Sequence, residues 1–306
     1  MIGSSLRIGT RGSPLALAQA TTVRDLLAAA HPQAPVAEIV VIQTTGDVIT
    51  NRPLADAGGK GLFTKEIDRA LLAGEVDIAV HSAKDVETWL PEGITIAATL
   101  KREDPRDALI GADSNAALPE GARVGTASQR RQAQLLAHRP DLDIILFRGN
   151  VQTRLRKLEA GEADATLLAL AGLNRLGRAD VADTILEPEE MLPAAGQGVI
   201  AIACLTGNRA TAQALVPLND PDTLACLQAE RAMLDALDGT CRTPIGGLAR
   251  IRDDQILLQG LVAWPDGSTL VRHQMSGPSG DPVALGKAVG THLRAQIGPE
   301  FFDQLD

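Results

Sequence analysis

The sequence predicts an α/β protein of two lobes joined by a two-strand hinge, followed by a small α+β domain. Strand, polar loop and helix alternate from Leu6 to about residue 100, and again from Arg123 to Arg175. Two stretches break the pattern. Lys101-Arg-Glu-Asp-Pro-Arg106 is dense in charge, and Leu192-Pro-Ala-Ala-Gly-Gln-Gly198 is made mostly of small residues. Both suit crossings between lobes. Beyond Leu218 the pattern becomes one helix, then strands linked by tight turns, then a last helix. The implied boundaries are 1–100 with 197–218, 101–196, and 219–306. Hydrophobic residues make up 45% of the 306, enough for ordinary cores; with aromatics at 2% and no Tyr, those cores must be aliphatic.

In the first lobe, Leu6-Arg-Ile-Gly9 reads as a strand. Ser13 and Pro14 open a helix in which Leu15, Ala18, Val23 and Leu26 keep a helical period. A strand follows over Val36–Ile42. Arg11 and Ser13 thus stand where a strand ends and a helix begins. That place suits an anion, though a plain cap beside a solvated Arg would read the same. Gly58-Gly-Lys-Gly-Leu-Phe63 precedes a helix over residues 64–73. Glycine follows Lys60 where a nucleotide loop needs Ser or Thr, so a glycine-rich flap carrying one cation fits better. The apolar strand Val76–Val80 runs into His81-Ser-Ala-Lys-Asp-Val86. The carboxyl ends of strands in open α/β sheets face the ligand crevice, which would place Ser82, Lys84 and Asp85 in a cleft. A solvated Lys-Asp pair is the alternative.

In the second lobe a strand ends three times with Arg at or just inside the next helix. Arg123-Val-Gly leads to Thr126-Ala-Ser128-Gln-Arg130-Arg131, a strand over 143–147 leads to Arg148-Gly-Asn150 and Arg154, and a strand over 164–170 leads to Arg175. From Arg123 to Arg178 there are ten Arg or Lys and five Asp or Glu, so this stretch is net +5 in a chain of −9. Such a reversal focuses anions, and Arg suits bidentate carboxylate binding. A basic solvated face, to which Arg156 and Lys157 are assigned, is the alternative.

The third segment holds a helix over 222–237, strands over 245–251, 256–264 and 270–275, and a helix over 283–297. Between the first helix and the first strand lies Asp238-Gly-Thr-Cys-Arg-Thr-Pro-Ile-Gly-Gly247. It presents Cys241 on a short loop beside Arg242, whose charge would lower a thiol pKa; a small buried hydrophobe, as most unpaired cysteines are, is the alternative. Its glycines would permit conformations that other residues avoid. Cys204 and Cys226 lie in apolar runs and read as core.

The net charge argues against nucleic acid as partner. The N-terminus has no signal-like apolar run, and no stretch is long enough to span a membrane. Three cysteines without a CxxC pair suggest a reducing compartment and no metal site.

The Cys241 loop resembles the cofactor-attachment loop of the porphobilinogen deaminase (hydroxymethylbilane synthase) family, of bacterial type. His-Ser-x-Lys-Asp-Val, Gly-Thr-x-Ser-x-Arg-Arg, Arg-Gly-Asn-Val-x-Thr-Arg and Ala-Gly-Leu-x-Arg-Leu-Gly follow the same family's order. The resemblance covers nearly the whole chain. It implies two periplasmic-binding-protein-like α/β domains with a third domain bearing the cofactor Cys. The implied reaction joins four porphobilinogen molecules head to tail, with loss of ammonia, on a dipyrromethane held by Cys241. Asp85 is then catalytic. Ser82, Lys84, Asp85, Thr126, Ser128, Arg130, Arg131, Arg148, Arg154 and Arg175 hold the cofactor. Arg11, Ser13, Gln19, Lys60, Phe63, Arg148 and Arg175 hold substrate. A cytoplasmic monomer is expected. Ala127 stands where the family commonly has Ser; Ala83 and Glu87 also depart from it and look peripheral. The competing readings are a hinged solute-binding protein for a small carboxylate, or a hinged transcriptional effector domain. The first would normally be exported, and the second would need a DNA-binding region.

Overall fold

The structure, a computed structural model, describes residues 5–48, 61–239 and 243–303. They fall into two compact units, one of residues 5–48, 61–103 and 199–224, the other of 104–198 and 225–303.

The first unit begins with β1 (Arg7–Thr10), α1 (Pro14–Ala30), β2 (Glu38–Val41), the short α2 (Thr45–Val48) and α3 (Lys65–Leu72). β3 (Ile78–Ser82) follows, then a 3₁₀ turn over Ala83–Asp85, and β4 (Ile94–Thr99). Its sheet runs β2-β1-β3-β10-β4, where β10 (Ile200–Leu205) comes from far along the chain. β1 is parallel to β2 and β3, while β10 is antiparallel to both its neighbours. Ile8, Val23, Leu27, Ile78, Ile202 and Leu215 build the core on one face. Ile67, Leu71, Val76 and Ala203 build it on the other. As expected, the cores are aliphatic, and Cys204 is buried.

The second unit repeats this plan. β5 (Asp107–Ile110), β6 (Arg123–Thr126), α4 (Gln129–His138), β7 (Asp143–Leu146), α5 (Val151–Glu159), β8 (Ala165–Ala169), α6 (Leu170–Arg175) and β9 (Thr184–Leu186) occur in that order. Their sheet runs β7-β6-β8-β5-β9, with β6 parallel to β7 and β8, and β5 antiparallel to β8 and β9. In both sheets the strand that enters from the crossing is the antiparallel one. Both sheets are thus five-stranded and mixed, with helices between their parallel strands.

α7 (Arg209–Leu215) belongs to the first unit. α8 (Pro221–Ala236) leads into a meander of β11 (Ile245–Arg252), β12 (Gln255–Ala263) and β13 (Leu270–Pro278), closed by α9 (Pro282–Ile297) and α10 (Pro299–Asp303). Met233, Ala249, Leu258, Val289 and Leu293 pack this small α+β part, and Cys226 is buried there. The β11–β12 hairpin turns through Asp253 and Asp254, both at positive φ (50° and 58°), as a two-residue hairpin requires. Gly267 (φ 75°) ends the β12–β13 turn, where a Cβ would stand 2.4 Å from Ala137 N of α4.

Three expectations change. β4, β5, β9 and α7 have no counterpart in the sequence reading, because each is too short or too weakly patterned to show a period. Arg175 closes α6 instead of opening a helix, since β8 passes into α6 without a loop. Gly239, Gly246 and Gly247 are not at positive φ. They sit in close packing instead: a Cβ would stand 2.7 Å from Ile245 Cδ1 at Gly239, 3.1 Å from Leu192 O at Gly246, and 2.5 Å from Met233 Cε at Gly247, the two shortest contacts being to the movable ends of side chains.

Candidate active site

The first unit has a pocket lined by Arg11, Ser13, Gln19, Phe63, His81, Ser82 and Asp85, among others. It lies at the carboxyl edge of the sheet, where the parallel strands β1 and β3 end. Ser13 caps α1, its Oγ accepting from Ala16 N at 3.3 Å. Gln19 points inward from α1 and is buried. Its Nε2 donates to Ser82 Oγ at 2.8 Å. Asp85 ends the 3₁₀ turn after β3, which is pinned by Ala83 N donating to Val199 O at 2.9 Å. The Asp85 carboxylate is left about one-third exposed (34%).

Arg11 is a paired cation, in contrast to the solvated side chain that the sequence also allowed. Its Nε lies 3.1 Å from Asp47 Oδ2, and its Nη2 2.5 Å from Asp47 Oδ1. Its Nη1 lies 4.0 Å from Asp85 Oδ2. The guanidinium lies 4.2 Å from the Phe63 ring centroid. Burial alone would raise the Asp47 carboxyl, but hydrogen bonds from Arg11 and Thr44 hold it below the usual carboxylate range. Burial, helped by the charge of Arg11, pushes His81 down to about 4. His81 is therefore neutral across the physiological range. Lys84 is half-buried beside Asp85.

Glu87, expected to be peripheral, accepts from Gly61 N at 2.6 Å at the foot of the glycine-rich stretch. Nearby Asp68 is raised to about 6, first by burial, with Glu66 and Glu87 adding to the rise against a hydrogen bond from Thr64. Lys60 and Cys241 lie outside the described residues.

The second unit carries its guanidinium groups at the carboxyl edge of the parallel strands β6, β7 and β8. Thr126 ends β6, its Oγ1 accepting from Ser128 N at 3.1 Å. Ser128 caps α4, accepting from Arg131 N at 3.4 Å. Arg130 and Arg131 are not open groups: both are buried against Asp107, which is fully buried at the start of β5. Arg130 Nη2 and Arg131 Nη2 each donate to one Asp107 oxygen at 2.8 Å. Their Nη1 atoms donate to Leu192 O and Leu167 O at 2.7 Å. Gln197 Nε2 adds a bond to Asp107 Oδ1 at 2.9 Å. Two guanidiniums thus share one carboxylate. Burial pushes Arg130 below its usual value, with Asp107 pulling it back up.

Arg148 is buried just past β7, and burial lowers it too. Arg154 Nε donates to Gly149 O at 3.0 Å, and Arg175 Nη2 to Gly198 O at 2.6 Å. The Nε atoms of Arg130 and Arg131 are buried with no hydrogen-bond partner in the structure. Orphaned donors of this kind need an acceptor. With an excess of guanidinium groups, they fit a ligand bearing several carboxylates.

Sequence reasoning missed Asp47, Asp107 and Glu230. Glu230 on α8 is fully buried, accepting from Gly196 N at 2.5 Å and Ala249 N at 2.7 Å. All three are acidic partners supplied from distant stretches, and no local motif marks them.

The first unit thus holds a carboxylate–guanidinium pocket, and the second an arginine-rich strand edge. Comparison with known proteins sharpens this. The family description "Porphobilinogen deaminase, dipyromethane cofactor binding domain" matches residues 6–213, and "Porphobilinogen deaminase, C-terminal domain" matches 224–295. The chain is similar to the chloroplastic porphobilinogen deaminase of Oryza sativa subsp. japonica, 54% identical over 99% of this chain and 87% of that one. It is similar to those of Nitrobacter winogradskyi, 55% identical over 96% and 94%, and Paracoccus denitrificans, 52% identical over 97% and 96%. A looser likeness is to an arginine-specific periplasmic binding protein of Salmonella typhimurium, with a TM-score of 0.40 and 13% identity, over 70% of this chain and 90% of that one.

The chain belongs to the porphobilinogen deaminase family. Its activity is the head-to-tail condensation of four porphobilinogen molecules, with loss of ammonia, on a dipyrromethane cofactor, releasing hydroxymethylbilane for tetrapyrrole biosynthesis. A solute-binding role is not favoured.

Proposed function

We propose that Asp85 is the proton-transfer group and cation stabiliser of this condensation, and that Cys241 holds the dipyrromethane through a thioether. The carrying observation is the pocket's composition. Arg11, His81 and Asp85 are its charged or titratable lining groups. Arg11 is a permanent cation, and His81, at about 4, is too weak a base for neutral pH. Asp85 is the remaining carboxylate.

When bound, the dipyrromethane supplies the free pyrrole carbon from which the product chain grows. The ammonium group of porphobilinogen leaves as ammonia when its bond to the methylene carbon breaks. Asp85 then faces the cation left on that carbon and stabilises it. After the new carbon–carbon bond forms, Asp85 accepts the proton lost from the attacked pyrrole carbon and passes it to solvent. Arg11 and Ser13 bind the substrate carboxylates beside it, while Gln19 orients Ser82. Lys60 and Phe63 belong to the same substrate set. Thr126, Ser128, Arg130, Arg131, Arg148, Arg154 and Arg175 take the cofactor carboxylates, with Ser82 and Lys84 joining them. Arg148 and Arg175 serve the substrate as well. Buried guanidiniums suit this task because their pairing with carboxylate is strong where water is excluded.

The lobes are 1–100 with 197–218 and 101–196; residues 219–306 form a third domain, supported by their separate three-stranded sheet. We place the enzyme in the cytoplasm as a monomer without nucleic-acid or membrane partners. The net charge of −9 supports the lack of a nucleic-acid partner; among the described residues no helix is long and apolar enough to cross a membrane.

The test combines mass and kinetics. Native protein should exceed its sequence mass by one dipyrromethane, recovered on the peptide containing Cys241. Asp85→Asn, with its cofactor confirmed by mass, should lose about 10²–10⁴ in turnover with the fold intact. Unmodified active protein would overturn the attachment, and wild-type elongation by Asp85→Asn would overturn the role of Asp85.

A further inference from the structure

We propose that Asp47 is a positioning residue for the condensation: it holds Arg11 in a two-point pair, so that Asp85 keeps only a 4.0 Å approach from it and stays open for the reaction. The inference rests on the reading of Asp85 and Arg11 given above, and goes beyond it by assigning a task to a residue that never touches substrate.

The geometry sets two carboxylates in competition for one guanidinium. Asp47 takes the Nε–Nη2 edge of Arg11, at 3.1 Å and 2.5 Å. Asp85 receives only a distant approach from Nη1, at 4.0 Å. Arg11 donates most strongly to one carboxylate in a two-point pair, and Asp47 occupies that mode. Three contacts fix the arrangement. Thr44 Oγ1 donates to Asp47 Oδ2 at 2.7 Å. Phe63 covers one face of the guanidinium. Gly46 N donates to Leu62 O at 2.7 Å, and a Cβ on Gly46 would lie 2.3 Å from the Phe63 ring, so α2 is pressed onto the residue that supports Arg11.

Two consequences follow for the reaction. The Nη1–Nη2 edge of Arg11 is left for a substrate carboxylate, next to Asp85. The Arg11–Asp47 pair is neutral as a unit, so the charge of Asp85 is not cancelled where a cation must form. Without Asp47, the guanidinium would close the 4.0 Å gap and pair with Asp85, removing both the anion and the base. Asp47 and Arg11 are both partly exposed (26% and 21%), so the exchange costs little in folding.

The experiment is a double-mutant cycle on holoenzyme, with cofactor loading confirmed by intact mass and porphobilinogen as the varied substrate. Asp47→Asn should lower kcat by about tenfold or more, the scale of one charge-assisted contact, and raise KM by less. Asp47→Glu should recover part of the loss. Thr44→Val, which loosens Asp47 without touching Arg11, should give a smaller loss in the same direction. In an Arg11→Gln background, Asp47→Asn should change kcat by less than about twofold, because its effect passes through Arg11. Full activity of Asp47→Asn, or a loss that repeats undiminished in the Arg11→Gln background, would overturn the proposal. If Arg11→Gln itself leaves kcat and KM unchanged, the reading of the pocket fails instead.

Discussion

Asp107→Asn should be among the most damaging single changes in the second unit, although no substrate role is assigned to Asp107. Its two oxygens each receive a guanidinium at 2.8 Å, and Oδ1 also receives Gln197. The amide keeps one acceptor and turns the other into a donor facing an N–H. Both Arg130 and Arg131 then lose their shared counter-charge inside a site only 5% and 4% exposed. Breaking a buried ion pair by removing one partner costs about 3–5 kcal/mol. For a unit of this size, each kcal/mol lowers the melting temperature by about 2–4 °C, so a fall of roughly 10 °C is expected. Cofactor loading should fall as well, because the two Nε donors are aimed by the same pairing. Calorimetry measures the first effect and intact mass the second. A melting temperature within about 2 °C of wild type would show that the two arginines do not depend on Asp107, and the argument would fail.

The other expectations concern acid stability and the return crossing. His81 falls to about 4 in the fold from an unfolded value near 6.5, so its stabilising contribution is present above pH 6.5 and lost as pH falls toward 4. It should remove about 2 kcal/mol between pH 7 and 5. His81→Gln should flatten that part of a urea-midpoint profile, whereas Asp68, raised to about 6, acts in the opposite sense over pH 4–6 in both proteins. Glu230→Ala should leave the Gly196 and Ala249 N–H groups without their acceptor, at about 1–3 kcal/mol each. Faster exchange of those two amides, measured by hydrogen exchange, checks this.

What the sequence made legible was whatever depends on near neighbours. β1, β3, β6, β7 and their following loops are short runs ending in polar groups, so the carboxyl-edge positions of Arg11, Ser82, Asp85 and Arg148 could be read directly. The resemblance added the roles. Arg130 and Arg131 were legible as a pair opening a helix, but not as buried groups. Their partner stands 23 residues back from Arg130, on a four-residue strand following a charged run. Asp47 was hidden in the same way, 36 residues from Arg11. The glycines around Cys241 show a different limit: composition announces a tight place, but not whether the backbone angle or the packing of a neighbour such as Met233 makes it tight.

The strand order also has a consequence for synthesis. β10 lies between β3 and β4, so the first sheet lacks a middle strand until residue 205 has left the ribosome. β5 lies between β8 and β9, and those strands are finished by residue 186. The sheet encoded second is therefore the first that can be completed, while the amino-terminal half waits with β3 and β4 as unpaired neighbours. A nascent chain halted before β10 would expose two facing strand edges, a template for pairing with another chain. In this protein, the hazard of a stalled translation is set by the position of one returning strand.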